Sequence, residues 1–239
     1  MKFTREEALA IAVSIVGALV IAFIFFGHLW GIIPGGLAGI YIYKVMVENL
    51  RRKMRQELLG QFKAMLIAMQ SALEAGNSME RSLKESAEEM RQLYGDKSRI
   101  FRELVIIDKK LRLNISLEEA LKEFADRVDI KEIYDFVEVI SAVKKTGGNA
   151  IKIIKDTVNR IVEVIELGAE LEVIVASKKL EQQLMVITPA VVILFLRVTS
   201  KGFLSPLYDT ILGQIIMTVV LGINVFADYL GKRIVDINI

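Results

Sequence analysis

Two long apolar stretches bracket a charged middle. From Ala8 to Val47 the chain is nearly free of charge, with Lys44 the exception. A bilayer core is crossed by about 20 helical residues, so this stretch is too long for one span and long enough for two. The break falls at Gly27-His28-Leu29-Trp30-Gly31, with Pro34-Gly35-Gly36 just beyond it. The pattern predicts helices over about 7–26 and 29–48, with Trp30 as an interfacial anchor. A cleaved signal peptide fits poorly, because the stretch is too long and a second one follows it. Near the other end, Leu184–Leu196 and Thr210–Ala227 are also uncharged. The segment between them holds Gly202 and Pro206 and predicts a turn between helices at about 184–204 and 210–230. Arg197, on the first of these, is expected to snorkel toward the far headgroups.

Residues 49–183 differ in kind. They are charged and contain no proline, and their apolar positions recur at three and four: Leu58, Leu59, Phe62, Met65, Leu66, Met69, Leu73. That is helical periodicity, and it predicts about six helices. Gly76-Asn77-Ser78 should stop one helix and start the next, Gly supplying a left-handed terminus and Ser an N-cap. Gly95-Asp96 should stop the second. Asn114-Ile115-Ser116 should start another, with Glu119 completing a capping box, and Asp129 should cap the one after. Thr146-Gly147-Gly148-Asn149 breaks the chain, with Asn149 as the expected N-cap. From Ala150 no strong breaker precedes Pro189, so one long helix should run from the middle segment into the second apolar block. The first apolar block should continue into the middle segment in the same way. The predicted fold class is all-α: an integral membrane protein with two transmembrane helical hairpins, 1–48 and 184–239, flanking a cytoplasmic helical domain, 49–183.

Composition agrees with this partition. Of 239 residues, 53% are hydrophobic and 25% charged, and the mean hydropathy is +0.44. The charge is ordinary for a soluble domain and the hydropathy too high for one, as expected if lipid-facing and water-facing residues are segregated. Lys2, Arg5, Lys44, Arg51, Arg52, Lys53, Arg55, Lys178, Lys179, Lys232 and Arg233 would fall on one side of the membrane, and Arg197 and Lys201 on the other. By the positive-inside rule both termini and the middle segment are expected in the cytoplasm.

Little in the sequence suggests catalysis. There is no Cys, which removes thiol catalysis and thiolate metal sites, and His28 is the single histidine. Gly147-Gly148 is not a phosphate loop, since no Lys-Ser/Thr follows it. The Glu pairs at 88–89 and 118–119 are consecutive, so they point about 100° apart on a helix and read as solvated faces. Asp228, with Asn224 one turn earlier, is expected to snorkel out of the membrane. Thr188-Pro189 should kink its helix. No cofactor is expected, and a net charge of +2 gives no reason to expect nucleic acid. The charges around the inter-helix turns, among them Glu80, Glu118, Glu119, Lys144 and Lys145, could serve solubility or a docking surface for a cytoplasmic partner.

An internal echo runs through the middle segment. Ala72–Ala87 aligns with Lys110–Ala125 at a period of 38 residues. The shared frame is a Leu, then a Ser, an apolar residue and Glu, then Leu-Lys-Glu. Two copies fall short of the three or more that a solenoid requires, and the downstream pattern after Thr146-Gly147-Gly148-Asn149 does not match.

The frame Leu-x-x-Gly-x-Ser-apolar-Glu-x-x-Leu at 73–83, its second copy, and Lys-Lys-Thr-Gly-Gly-Asn at 144–149 before a long helix resemble the F-domain family of type II secretion. More narrowly, the Thr-Gly-Gly-Asn turn and the ending Gly-Lys-Arg-Ile-Val-Asp-Ile are similar to the TadB branch of Flp (tight adherence) pilus systems. The resemblance covers roughly residues 55–239, with Leu113-Asn114 where a Gly is expected. It implies a non-enzymatic platform in the cytoplasmic (inner) membrane. Such a platform works with a hexameric cytoplasmic ATPase and a paralogous TadC-like partner to move pilin subunits into a filament; a TadC-like or archaeal platform is the alternative within the family. Partner contacts are then expected at Gly76, Asn77, Ser78, Glu80, Ser116, Glu118, Glu119, Lys144, Lys145, Gly147, Gly148 and Asn149. Long apolar helix faces would suit a homo-oligomer. A membrane-anchored signalling protein would want a cytoplasmic phosphorylatable His, and a transporter subunit would want polar residues along the spans; neither pattern is present.

Overall fold

The computed structural model describes residues 5–26, 32–146, 150–200, 202 and 204–235. Among these every regular element is a helix: α1 (Arg5–Phe26), α2 (Ile32–Glu74), α3 (Met79–Tyr94), α4 (Arg99–Arg112), α5 (Leu117–Val128), α6 (Lys131–Thr146), α7 (Ala150–Thr199), α8 (Ser205–Asp209) and α9 (Ile211–Val235). The chain forms two compact units. One is Arg52–Glu170, here called the bundle; the other combines Met1–Arg51 with Leu171–Ile239. Helices α2 and α7 each contribute residues to both.

The bundle uses the end of α2, all of α3 to α6, and the start of α7. Its core is built where the three-and-four pattern turns inward: Leu58, Phe62, Met65, Leu66 and Met69 of α2 are all buried. Phe62 sits at the centre. Its ring meets Phe136 of α6 edge-on at 5.7 Å and Phe124 of α5 at 6.4 Å, the geometries that aromatic quadrupoles favour.

The echo seen in the sequence is a duplication in three dimensions. At the end of α2, Gly76 N–H donates to Leu73 O (3.0 Å) and Asn77 N–H to Ala72 O (3.2 Å). At the end of α4, Asn114 N–H donates to Leu111 O (3.0 Å) and Ile115 N–H to Lys110 O (3.1 Å). Both are Schellman terminations. Each turns on a left-handed residue, Gly76 at φ 87° and Asn114 at φ 60°. Asn can replace Gly there because its short polar side chain tolerates that region. Two residues on, Ser78 accepts from Arg81 N–H and Ser116 from Glu119 N–H. Burial repeats in the same register: Leu83 with Leu121, Met90 with Val128, Met69 with Ile107, Leu66 with Leu104 and Phe62 with Ile100.

One local expectation changes. Asp129 does not start α6; it ends α5 in the left-handed region at φ 52°, its N–H donating to Ala125 O. The reversal needs a left-handed residue and Asp tolerates one, which leaves the next residue, Ile130, free to bury. Ser98 makes no side-chain cap bond at the start of α4. Buried Gln61 of α2 instead accepts from Ile100 N–H at 3.1 Å, so a free amide of α4 is satisfied from another helix.

The second unit packs by close approach. A Cβ added at Gly35 would lie 2.8 Å from Ala22 Cβ, and one at Gly39 2.7 Å from Ala18 Cβ, so α1 and the start of α2 meet through a stripe of small residues. At the far end of α1, Ile24 and Phe25 cluster with Met217 and Leu221 of α9. Arg197 of α7 lies 4.1 Å from the Phe23 ring centroid and 5.3 Å from that of Tyr208, and donates to Phe23 O. Tyr208 donates to Ile24 O at 2.7 Å. Arg197 is thus held by aromatic faces and by the negative end of α1. Thr188 donates to Leu184 O at 2.7 Å beside Pro189, the back-bond that bends helices. Among the described residues two stretches, Ile151–Thr199 and Ile211–Gly231, are long and apolar enough to cross a membrane, and Ile11–Phe25 is a shorter apolar one.

Ser82 is fully buried at the position equivalent to Ala120, and its hydroxyl makes no hydrogen bond among the described residues. A buried unsatisfied hydroxyl costs about 1–3 kcal/mol. Ser82→Ala should therefore stabilise the chain by about 1 kcal/mol, read as a raised thermal midpoint of the detergent-purified protein; a lowered midpoint would refute this account of Ser82.

Candidate functional site

Helix reversal sets where the expected site residues fall. α3 turns back along α2, and α4 along α3, so the α2–α3 and α4–α5 turns share one end of the bundle. A groove of about 600 Å³ between α3 and α4 shows the pairing, because Glu80, Arg81 and Lys84 from the start of α3 line it with Asp108 and Leu111 from the end of α4. The start of α7 joins the same end: Lys155 Nζ is 2.6 Å from Glu74 Oε1 of α2. Gly76, Asn77, Ser78 and Glu80 therefore share a face of the bundle with Ser116, Glu118 and Glu119. Lys144 and Lys145 fall in the last turn of α6. Gly147, Gly148 and Asn149 lie outside the described residues, as do His28 and Trp30.

The side chains of this end face are organised among themselves. Asn77 Nδ2 donates to Glu85 Oε2 at 2.7 Å, and Arg81 Nε donates to Glu85 Oε1 at 3.1 Å. Arg112 Nε reaches Asp108 at 2.8 Å. Lys110 pairs with Glu123, which is also 3.6 Å from Arg127. Glu80, Glu118 and Glu119 sit in the first turns of α3 and α5, where a carboxylate meets the positive end of the helix. The motif residues Gly76, Ser78, Asn114 and Ser116 make the turns themselves. Their chemistry is that of stopping and starting helices, and they position a charged, solvent-facing surface. Among the described residues no group of three or more His, Asp or Glu could hold a metal ion.

The Lys155 ammonium hydrogen-bonded to Glu74 holds that carboxyl below the usual carboxylate range, and Glu74 in turn holds Lys155 above the usual lysine range. Tyr134 is raised, first by desolvation and then by its hydrogen bond to Asp126.

A second polar cluster, in the other unit, was not read from sequence. Asp228 of α9 is buried. Tyr41 of α2 donates to its Oδ2 at 2.8 Å. Gln182 Nε2 of α7 donates to its backbone carbonyl at 3.0 Å and reaches Oδ1 at 3.3 Å. The expectation of a snorkelling Asp228 does not hold, because both carboxylate oxygens are engaged between helices. The available signal was an ionisable residue in an apolar run; its partners lie 187 and 46 residues away, beyond any local pattern.

No protein-family model, curated protein or solved structure matches this chain.

The Glu74–Lys155 pair links α2 to α7 at the end face. Glu74 is depressed in the folded state, so its contribution is present above about pH 4.3, the ordinary carboxylate value, and is lost as pH falls through the lowered folded value. Lys155 is raised, so its contribution is present below about pH 10.4 and lost as pH rises through the raised value. Glu74→Gln should lower the thermal midpoint slightly at pH 7, and less so in 1 M salt, because the pair is exposed and about 3 Å screening applies there. An effect of Glu74→Gln that persists unchanged at pH 2 would show that the ion pair is not its cause.

Proposed function

We propose that this chain is a non-enzymatic membrane platform of a pilus or type II secretion machine, coupling a cytoplasmic assembly ATPase to pilin extraction and filament assembly. The observation that carries the reading is helix continuity. α2 runs unbroken from Ile32 to Glu74 and α7 from Ala150 to Thr199, so each contributes to both the apolar-faced unit and the bundle without an intervening loop. A displacement imposed on the bundle would pass along these helices and would not be absorbed by a linker.

The proposed topology has two transmembrane hairpins, built from α1 with the first half of α2 and from the second half of α7 with α9. Both termini and the bundle are cytoplasmic. Large side chains such as Val16, Leu19, Phe23, Met185, Phe195, Ile211, Ile215 and Phe226 face outward, and lipid is the solvent that suits such faces. The duplicated turns supply the second support. They set the motif charges on one end of the bundle, where a TadC-like paralogue or the hexameric ATPase would dock. Pilin subunits, the bilayer and a second copy of the chain complete the proposed partners.

The chain has no Cys, so single introduced cysteines report topology directly. In intact cells or sealed inside-in spheroplasts, Ser200→Cys should react with an impermeant maleimide, whereas Glu89→Cys should react only after the membrane is opened. Equal labelling of both would sink the hairpin topology. Co-purification from membranes with a co-expressed assembly ATPase should succeed for the native chain and fall on combined charge reversal at Lys144 and Lys145. Intact pilus assembly and secretion after deletion of the chain would refute the platform reading.

A further inference from the structure

Helix α9 lies wholly within the apolar-faced unit, whereas α2 and α7 each continue into the bundle. Near α1 the contacts of α9 are apolar: Met217 and Leu221 against Ile24 and Phe25. Apolar contacts are non-directional and do not by themselves set the register of α9, which at this end is tied to α8 by Gln214 donating to Tyr208 O at 3.2 Å. Directional bonds occur at Asp228. One carboxylate accepts from two helices at once, Tyr41 of α2 through Oδ2 at 2.8 Å and Gln182 of α7 through Oδ1 at 3.3 Å. Gln182 also holds the Asp228 backbone carbonyl at 3.0 Å. Gly231 is fitted to the same arrangement, since a Cβ there would lie 2.6 Å from Gln182 Nε2. The missing side chain leaves room for the Gln182 amide to reach across.

A buried polar group is costly unless bonded. Sliding α9 past α2 or α7 would strand the carboxylate, the phenol and the amide together. The three side chains therefore fix α9 to the two helices that leave the unit. Resting on the platform reading above, we infer that Asp228 is the coupling residue of the machine: it makes α9 follow movements of α2 and α7, with Tyr41 and Gln182 as its positioning partners. The carboxylate acts through hydrogen-bond geometry. Asn at 228 would keep it, its Oδ1 accepting from Gln182 and its Nδ2 donating to the Tyr41 oxygen.

The test uses the full chain in lipid nanodiscs, with spin labels on introduced cysteine pairs at outward-facing positions. Ile40→Cys with Phe226→Cys reports α2 against α9, and Met185→Cys with Phe226→Cys reports α7 against α9. Distance distributions from pulsed electron resonance should be narrow in the native background. Asp228→Leu should broaden both, Tyr41→Phe only the α2–α9 pair, and Asp228→Asn neither. Unchanged widths in Asp228→Leu would overturn the clasp. In cells, Asp228→Leu that still reaches the membrane at native level should lose filament assembly, and Asp228→Asn should restore it. Full assembly in Asp228→Leu with both distributions broadened would overturn the coupling role while leaving the clasp. Assembly that survives deletion of the whole chain would overturn the platform reading instead, and the nanodisc result would still decide the clasp.

Discussion

A helix can be reversed within two residues only if one residue takes the left-handed conformation, and the bundle depends on that constraint. Gly76 and Asn114 supply it 38 residues apart. Each is followed two positions later by a serine that caps the next helix. The stop and the start are thus nearly fused, and the helices reverse: Lys110 and Glu103 of α4 pair with Glu123 and Arg127 of α5 in antiparallel order. Once they do, the apolar stripes of α2, α3, α4 and α5 face one another and can close over Phe62 and Phe124. The same reversal collects alternate turns at one end. The end face therefore follows from the turn geometry, and its charges occupy positions that helix dipoles and neighbouring partners already favour.

The second unit solves a different problem. With apolar side chains on both the packed and the outward faces, hydrophobicity alone does not select which faces meet. Small residues and a few polar anchors do so. Gly35 and Gly39 let α2 approach Ala22 and Ala18. Arg197 and Tyr208 bind the carbonyls at the end of α1. Tyr41 and Gln182 engage Asp228. Each anchor uses a donor on one helix and an acceptor on another, so each fixes a pair of helices in register.

Much of this was legible along the chain because its causes are local. Period-three-and-four spacing marks a helix and the face it buries. A Gly before a Ser marks a stop and a start, and a long run without clustered turn residues marks a helix that continues, as α7 does through the single Gly168 and Pro189. Hence the all-helical class, the six helical segments of the bundle, the Gly76 and Ser116 turns and the long α7 could all be read from residues within a few positions of one another. Asp129 was misplaced by one helix because Asp serves both as an N-cap and as a left-handed terminator, and only the burial of Ile130 decides between them.

What the tertiary structure alone decided is the satisfaction of polar groups across distance. Gln61 caps a helix that begins 38 residues later. Arg197 finds the carbonyl of Phe23, 174 residues away, and Asp228 finds Tyr41 and Gln182. The sequence by itself determined where helices start, stop and turn apolar, since those depend on backbone conformation and on neighbours within a turn. It could not determine which buried donor meets which acceptor, because any exposed-looking polar residue reads the same until the helix that covers it is in place.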